Sequence, residues 1–311
     1  MMSAGTLDYK KERAAMSEAQ LEQVLDMIRG GPDLTAMSPQ ELRVVYDAMG
    51  DITPPHESVT YAAVEANGVP CEVGTAPGAR TDATIVYFHG GAYVFGSRKS
   101  HRGLVARLGQ AAGIRTLAPD YRLAPEHVFP AAVDDAFAVY QWLLAEGTPA
   151  ERIVFAGDSA GGGLTLGTML RCKAEGVPMP AGGVLFSPFV DMGVTGDSVA
   201  ENKDRDFLVS FDGAFNLAAL YMTGSDLQSP EASPIFADLT GLPPLLIHVG
   251  GHEAILDDSL RLARRAIMAD VSVRLRAFPK LPHVWQLFSS LLDEGEESLR
   301  EAGAFVATQI K

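Results

Sequence analysis

Cysteine is scarce in this chain of 311 residues, which contains only Cys71 and Cys172. The two are about a hundred positions apart, and neither lies in the short cysteine or histidine spacings of a metal or redox site. A disulfide framework and a thiolate metal site are therefore excluded. Both cysteines are predicted to be buried free thiols.

Long apolar runs are also missing, since no stretch approaches the roughly 18 apolar residues of a membrane-spanning helix. The first twenty residues contain five charged side chains between positions 8 and 13 and no apolar core segment, so they do not form a secretory signal. We therefore expect a cytoplasmic protein without a membrane span.

Basic residues are outnumbered, because 25 lysines and arginines face 39 aspartates and glutamates, which gives a net charge of -14. No basic cluster offsets this charge locally, so nucleic-acid binding is not expected. The hydrophobic content of 47% is ordinary for a globular protein, and the chain is long enough to bury a large core.

Predicted strands and helices alternate along most of the chain. Strand-like runs occupy 58–66, 69–74, 83–88, 114–118, 152–156, 183–186, 245–249 and 271–278. Helix-like segments occupy 17–28, 39–49, 102–112, 131–145, 164–175, 213–222, 259–268 and 294–310. Ser17 and Ser38 are predicted to cap the first two of these helices. This alternation predicts an α/β fold, with a mostly parallel eight-stranded sheet and helices on both faces.

Two regions do not follow the alternation. Residues 1–50 are predicted to be helical and contain no predicted strand. Residues 191–243 separate two predicted strands, and a segment of this length is rarely an unstructured loop in a compact domain. We interpret residues 1–50 and the insertion 191–243 as a helical cap. The core then consists of residues 51–190 and 244–311.

A glycine-rich turn follows the strand-like run 152–156, and it reads Gly157-Asp158-Ser159-Ala160-Gly161. A Gly-x-Ser-x-Gly turn between a strand and a helix is typical of a nucleophile elbow, in which side chains at the two glycines would collide with their neighbours. The simpler alternative is a helix cap made by Asp158 or Ser159.

A second glycine-rich loop, His89-Gly90-Gly91-Ala92-Tyr93, follows the strand-like run 83–88. Acyl transfer needs backbone N–H donors aimed at the oxyanion of the tetrahedral intermediate. The candidate donors are Gly90, Gly91, Ala92 and, after the serine, Ala160. His89 is interpreted as a structural residue of this loop. A plain Gly-Gly turn is the alternative.

His283 lies in a loop after the last predicted strand, and its position after Ser159 satisfies the serine, acid, histidine order of nucleophile-elbow hydrolases. A serine hydroxyl is a poor nucleophile unless a base takes its proton. His283 is therefore the candidate general base; packing beside Trp285 is the alternative.

Several ordered motifs together are similar to those of the bacterial hormone-sensitive-lipase family (family IV) of α/β-hydrolase carboxylesterases. The matching segments are residues 89–93, 120–126, 157–162, 187–191 and 241–244, and His283. The resemblance implies an α/β-hydrolase fold with a cap, hydrolysis of short-chain or aryl carboxylic esters without a cofactor, and a possible homodimer. Ala92 replaces one loop glycine, but its backbone donor is retained.

The acid of the predicted triad departs from the family pattern, which places its aspartate at the position that His252 occupies here. Imidazole cannot supply the anionic oxygen that orients the base. Glu253 is the favoured substitute, and Asp257 and Asp191 are the alternatives. If none of them serves, the activity would be weakened.

Two other functions deserve comparison. His248, His252 and Glu253 are close in sequence, but Leu256 stands where a zincin would have its second histidine, so no metal is expected. A receptor-like protein that binds esters without turnover is the stronger alternative, since a fold does not fix a function. The presence of both Ser159 and His283 favours the enzyme.

Overall fold

The computed structural model describes residues 4–55 and 57–310, with side chains from residue 17 onward. Its centre is one eight-stranded sheet in the order β1-β2-β4-β3-β5-β6-β7-β8. β1 and β2 are antiparallel to their neighbours, and the six other strands are parallel. The strands are β1 (Thr60–Ala66), β2 (Val69–Thr75), β3 (Arg80–Phe88), β4 (Ile114–Pro119), β5 (Ile153–Asp158), β6 (Gly182–Phe186), β7 (Leu245–Gly250) and β8 (Val273–Phe278).

Helices cover both faces of this sheet, as the sequence predicts. They are α1 (Ala4–Arg29), α2 (Pro39–Met49), α3 (Arg98–Ala112), α4 (Ala131–Ala145), α5 (Ala160–Glu175), α6 (Ser198–Glu201), α7 (Phe211–Tyr221), α8 (Leu256–Met268) and α9 (Asp293–Gln309). Alternate residues of a strand point to opposite faces. In β3, Ile85 and Tyr87 pack with α3 and α9, whereas Val86 and Phe88 pack in the core that α4, α5 and α8 cover.

Three helices begin four or more residues earlier than predicted. α1 continues through Ser17, which was expected to cap it, and the Ser17 hydroxyl donates instead to the side chain of Glu294. Alanine, lysine and glutamate in residues 4–16 favour this longer helix. α3 begins four residues earlier because the Ser97 side chain accepts hydrogen bonds from the amides of Lys99 and Ser100. α5 begins directly after Ser159, and the sequence did not predict this start because three of its first four residues are glycines, which disfavour a helix.

The predicted insertion 191–243 contains α6, α7 and a short 3-10 turn, Pro234–Phe236, but no strand within its described residues. The predicted N-terminal segment 1–50 contains α1 and α2, and its first three residues lie outside the described part, as does the last residue of 244–311. Cys71 and Cys172 are both buried and unpaired, as predicted. In the described part of the chain, no helix combines the length and apolar character needed to cross a membrane.

Candidate active site

The candidate site lies at the carboxyl edge of the parallel strands. The loop 89–93 follows β3, Ser159 follows β5, Glu253 follows β7 and His283 follows β8. Parallel strands bring these loops to one edge of the sheet even though their residues are far apart in sequence. The topology therefore assembles the three sequence motifs in one place.

Ser159 occupies the tight turn between β5 and α5 with a φ of 50° and a ψ of -120°. A non-glycine residue rarely adopts a positive φ, and such strain persists only where the surroundings impose it. The surroundings are crowded, because a Cβ on Gly161 would overlap the carbonyl oxygen of Phe88 and one on Gly157 would overlap that of Gly161. Neither Ser159 nor another side chain caps α5, so the helix-cap interpretation was wrong.

A cavity of about 260 Å³ opens at Ser159. His283, Gly91 and Ala92 share its wall with the serine, and most other lining side chains are apolar. These come mainly from α2, α7 and the segments around residues 34–37, 208–210 and 284–288. A small apolar pocket with few convergent polar groups is the usual form of a site for an uncharged organic ligand.

His283 is oriented by a buried carboxylate. Its Nδ1 lies 2.9 Å from Oε2 of Glu253, a residue with no solvent exposure. Oε1 of Glu253 accepts a hydrogen bond from the Ser187 hydroxyl at 2.6 Å and another from the Gly250 amide. A carboxylate accepts only, so Nδ1 carries the proton and Nε2 is left as the acceptor that a base requires.

Burial and this pairing act in opposite directions on the two groups. Burial on its own lowers the pKa of His283, but the hydrogen bond and charge of Glu253 outweigh it and leave the pKa raised above 6.5. Burial raises the pKa of Glu253, against the hydrogen bonds from His283, Ser187 and Gly250 that favour its ionised form. The pair is therefore suited to holding a positive imidazolium.

The four candidate oxyanion donors differ in their geometry. The amide of Gly90 donates to Oδ1 of Asp158 at 3.1 Å, so it is not available to a ligand. The amides of Gly91 and Ala92 make no hydrogen bond with any described residue, and both residues line the cavity. Ala160 begins α5, where the first amides have no intrahelical partner. Three of the four candidates thus keep a free donor.

Comparison with known proteins gives the same picture. Residues 85–287 match the model of a family described by the alpha/beta hydrolase fold. A solved esterase of the bacterial hormone-sensitive lipase family is 42% identical, with a TM-score of 0.91 over 94% of this chain and 99% of that one. This chain is an α/β hydrolase of the hormone-sensitive lipase family.

Two further relatives agree with this membership. An acetyl-hydrolase of Streptomyces hygroscopicus is 38% identical over 94% of this hydrolase and 98% of its own length. An esterase of Acinetobacter venetianus is 35% identical over 89% of this hydrolase and 91% of its own length. The relationship therefore extends over nearly the whole chain.

His252, at the usual acid position of the family, and the other two acid candidates of this hydrolase have partners other than the base. His252 is half-buried, its amide donates to the carbonyl oxygen of Leu281, and burial lowers the pKa of its ring. Asp257 accepts from the Ser198 amide at 3.0 Å. Asp191 is buried against Thr195 and Arg261. None of the three is hydrogen-bonded to His283 in the described structure.

Sequence reasoning missed residues that hold the acid in place. Besides donating to Glu253, the Ser187 hydroxyl accepts a hydrogen bond from the Val284 amide at 3.2 Å, so it joins the acid loop to the base loop. Asn202 donates to the carbonyl oxygen of Glu253 at 2.9 Å, and Asp206 accepts from the Ala254 amide at 2.7 Å. Ser187 could have been found, because it directly follows β6 at the same edge.

Two other histidines, His89 and His248, have structural partners. His89 stacks on Tyr121 with ring centroids 4.2 Å apart, in keeping with a structural role. His248 lies in β7 with Nδ1 2.8 Å from the Ser298 hydroxyl. Among the described side chains, no three histidine, cysteine, aspartate or glutamate residues are arranged to hold a metal ion.

Proposed function

We propose that this chain, a carboxylic ester hydrolase by family, acts through a covalent acyl-enzyme on Ser159. His283 is the general base, Glu253 is the acid of the triad, and Gly91, Ala92 and Ala160 form the oxyanion hole. The observation that carries the proposal is the shared cavity wall of Ser159 and His283, with Glu253 bonded to the far nitrogen of the imidazole.

The proposed reaction begins with proton transfer from the Ser159 hydroxyl to Nε2 of His283 as the oxygen attacks the ester carbonyl carbon. The negative charge that forms on the carbonyl oxygen is held by the three amides. The imidazolium then gives its proton to the leaving alcohol. Water then attacks the acyl carbon as it loses a proton to His283, and the imidazolium returns this proton to the Ser159 oxygen as the carboxylic acid leaves.

The serine hydroxyl makes no hydrogen bond with the described part of the chain, His283 included. In ligand-free hydrolases the contact between nucleophile and base is often long and tightens only when substrate is bound. We therefore propose that the Ser159 to His283 hydrogen bond forms in the substrate complex.

Glu253 removes the reason to expect a weakened enzyme. The family pattern places the acid at position 252, but the side chain bonded to Nδ1 of His283 is that of the next residue, Glu253. Glutamate has the same anionic oxygens as aspartate, and a side chain long enough to reach Nδ1 from this loop. We propose a complete triad.

The substrate class follows from the size and polarity of the cavity. A volume of about 260 Å³ and a mostly apolar lining support short-chain or aryl esters, and the acetyl-hydrolase relative is consistent with a short acyl group. Asp212 is the one carboxylate, and there is no lysine or arginine, among the described lining residues. Uncharged esters are therefore favoured over anionic ones.

The cap and the oligomeric state are separate proposals. We propose that residues 1–50 and 191–243 form a cap, because α2 and α7 supply much of the cavity wall. We also propose a homodimer through β8, an edge strand that exposes Leu275, and the adjacent α8, which exposes Ile267 and Met268. Light scattering should give twice the monomer mass, and Leu275→Lys should give the monomer; a monomeric wild-type protein would refute the dimer.

We propose a cytoplasmic location, which two buried thiols fit because a reducing compartment keeps cysteines unpaired. Cell fractionation of the native host with an antibody tests it.

The proposed function is tested by hydrolysis of nitrophenyl esters with increasing acyl length. Ser159→Ala should lower kcat by about 10⁶-fold without changing the thermal unfolding temperature. Ser290→Ala, at an exposed serine outside the cavity, is the matched control and should keep wild-type rates. Hydrolysis by Ser159→Ala at the wild-type rate would refute the proposal.

A further inference from the structure

Asp158 precedes the proposed nucleophile and is completely buried, yet the reaction does not use its carboxylate. Oδ1 accepts hydrogen bonds from the Tyr87 hydroxyl at 2.8 Å and from the Gly90 amide at 3.1 Å. Oδ2 lies 3.3 Å from Nε2 of His101. A buried carboxylate is costly unless it is hydrogen-bonded, so these contacts constrain the groups that make them.

The carboxylate touches the main chain of the loop itself. A Cβ added to Gly90 would overlap Oδ2 of Asp158, so no residue larger than glycine fits there without moving the carboxylate. The turn that carries Ser159 and the loop that carries Gly91 and Ala92 are thereby joined through Asp158 and Gly90. Their relative position depends on this contact.

The peptide unit between His89 and Gly90 is held at both ends. The Tyr121 hydroxyl donates to the His89 carbonyl oxygen at 2.6 Å, and the Gly90 amide donates to Asp158. The N–H and C=O groups of a trans peptide point in opposite directions in one plane. Two bonds on opposite edges therefore fix the rotation of this plane.

The next peptide unit is held at its oxygen. Nδ1 of His89 lies 2.8 Å from the Gly90 carbonyl oxygen. Burial, together with the neighbouring His101, lowers the pKa of His89 to about 3, so the ring is neutral and donates from Nδ1. With its carbonyl turned to this ring, the peptide directs the Gly91 N–H to the opposite side.

We propose that Asp158 is a positioning residue for the oxyanion hole: by holding the Gly90 amide, it orients the amides of Gly91 and Ala92 toward the cavity at Ser159. The inference rests on the proposed function. A displacement of about 1 Å in a reacting group can lower the rate by about 10²-fold. The hydrogen bond from the Gly90 amide to Asp158 therefore affects turnover, although Asp158 does not contact the substrate.

The test compares Asp158→Ala with Asp158→Asn. Asparagine keeps an oxygen for the Gly90 amide and can donate to His101, whereas alanine leaves the Gly90 amide only its longer contact, 3.3 Å, with Nε2 of His101. Asp158→Ala should lower kcat by about 10²-fold with KM within about threefold of wild type, and Asp158→Asn should recover kcat to within about tenfold. Affinity for a boronic acid, which mimics the tetrahedral intermediate, should fall in step with kcat/KM.

Two further variants keep the result interpretable. Asp135→Ala removes another buried carboxylate, which holds the Arg122 amide at 2.8 Å and makes no bond to the loop 89–93. It should lower thermal stability while boronic acid affinity and kcat stay near wild type. Tyr121→Phe removes only the hydroxyl that holds the His89 carbonyl, and it should lower kcat and boronic acid affinity together, by less than Asp158→Ala.

The inference is overturned if Asp158→Ala keeps its kcat, if Asp158→Asn is as impaired as Asp158→Ala, or if kcat falls without a loss of boronic acid affinity. Where Asp158→Ala does not fold, an unchanged kcat in Tyr121→Phe overturns it. Absence of ester hydrolysis in the wild-type protein would refute the proposed function instead, so the two failures are distinguishable.

Discussion

Replacing Glu253 by glutamine is the perturbation that most directly probes the triad. The two side chains have nearly the same shape, but glutamine has no charge. An imidazolium and a carboxylate at the observed 2.9 Å attract by about 6 kcal/mol at an effective dielectric constant near 20. That energy corresponds to about 10⁴ in rate, which agrees with the loss typical of removing a triad acid.

The pH dependence gives a second, independent readout. His283 must be neutral to act as a base, so kcat/KM should fall as the pH drops through its raised pKa. Glu253→Gln removes the group that raises this pKa, so the acid limb should move to lower pH while the plateau falls. Initial rates of nitrophenyl acetate hydrolysis from pH 4 to pH 9 measure both effects.

Two matched variants complete this experiment. Asp257→Asn neutralises a carboxylate four residues away that contacts Ser198, and it should keep both plateau and acid limb. His252→Asp should give no gain in rate, because its side chain does not reach the base. If Asp257→Asn lost about 10⁴ while Glu253→Gln kept its activity, the assignment of the acid would be refuted.

Three other predictions concern the support of the site and the cavity. Ser187→Ala removes a hydrogen bond to a charged carboxylate worth about 1.5–3 kcal/mol, so kcat should fall about 10- to 100-fold; an unchanged kcat would contradict the proposed link. Gly161→Ala places a methyl group on the Phe88 carbonyl and should lower the thermal unfolding temperature by roughly 5 °C or more, as calorimetry measures; an unchanged temperature would contradict this crowding. Burial beside Asp191 raises the pKa of Asp258 to about 8, above its unfolded value, so its protonation stabilises the fold at low pH and the contribution is lost as pH rises toward 8. Denaturant titrations should therefore show Asp258→Asn becoming more stable relative to wild type between pH 5 and pH 8, and a constant difference would refute the shift.

Much of the architecture follows from patterns that are local in sequence. The apolar runs of β3 and of β5 to β7 predict a buried parallel sheet, and the family and fold that the motifs suggest are confirmed by the comparisons. Ser38 and Glu41 form the capping box that begins α2, as the cap at Ser38 predicts. These features need no information about distant residues.

What the sequence left open or missed has the opposite character, since each point depends on a contact between distant parts of the chain. In the sequence, Gly90 is as good a candidate donor as Gly91 and Ala92, but in the structure its amide donates a hydrogen bond to Asp158, 68 residues away. Glu253 and His252 are adjacent, and only the position of the His283 loop distinguishes them. Ser17 has the composition of a cap, but its partner is Glu294, near the other end of the chain.

Reaction with an organophosphonate, followed by peptide mass spectrometry, tests the central claim most directly. The account predicts one adduct per chain, on Ser159, formed in step with the loss of ester hydrolysis and absent after His283→Ala at short times. An inactivated protein that carries its adduct elsewhere, or an active one that hydrolyses esters while Ser159 stays unlabelled, would contradict it.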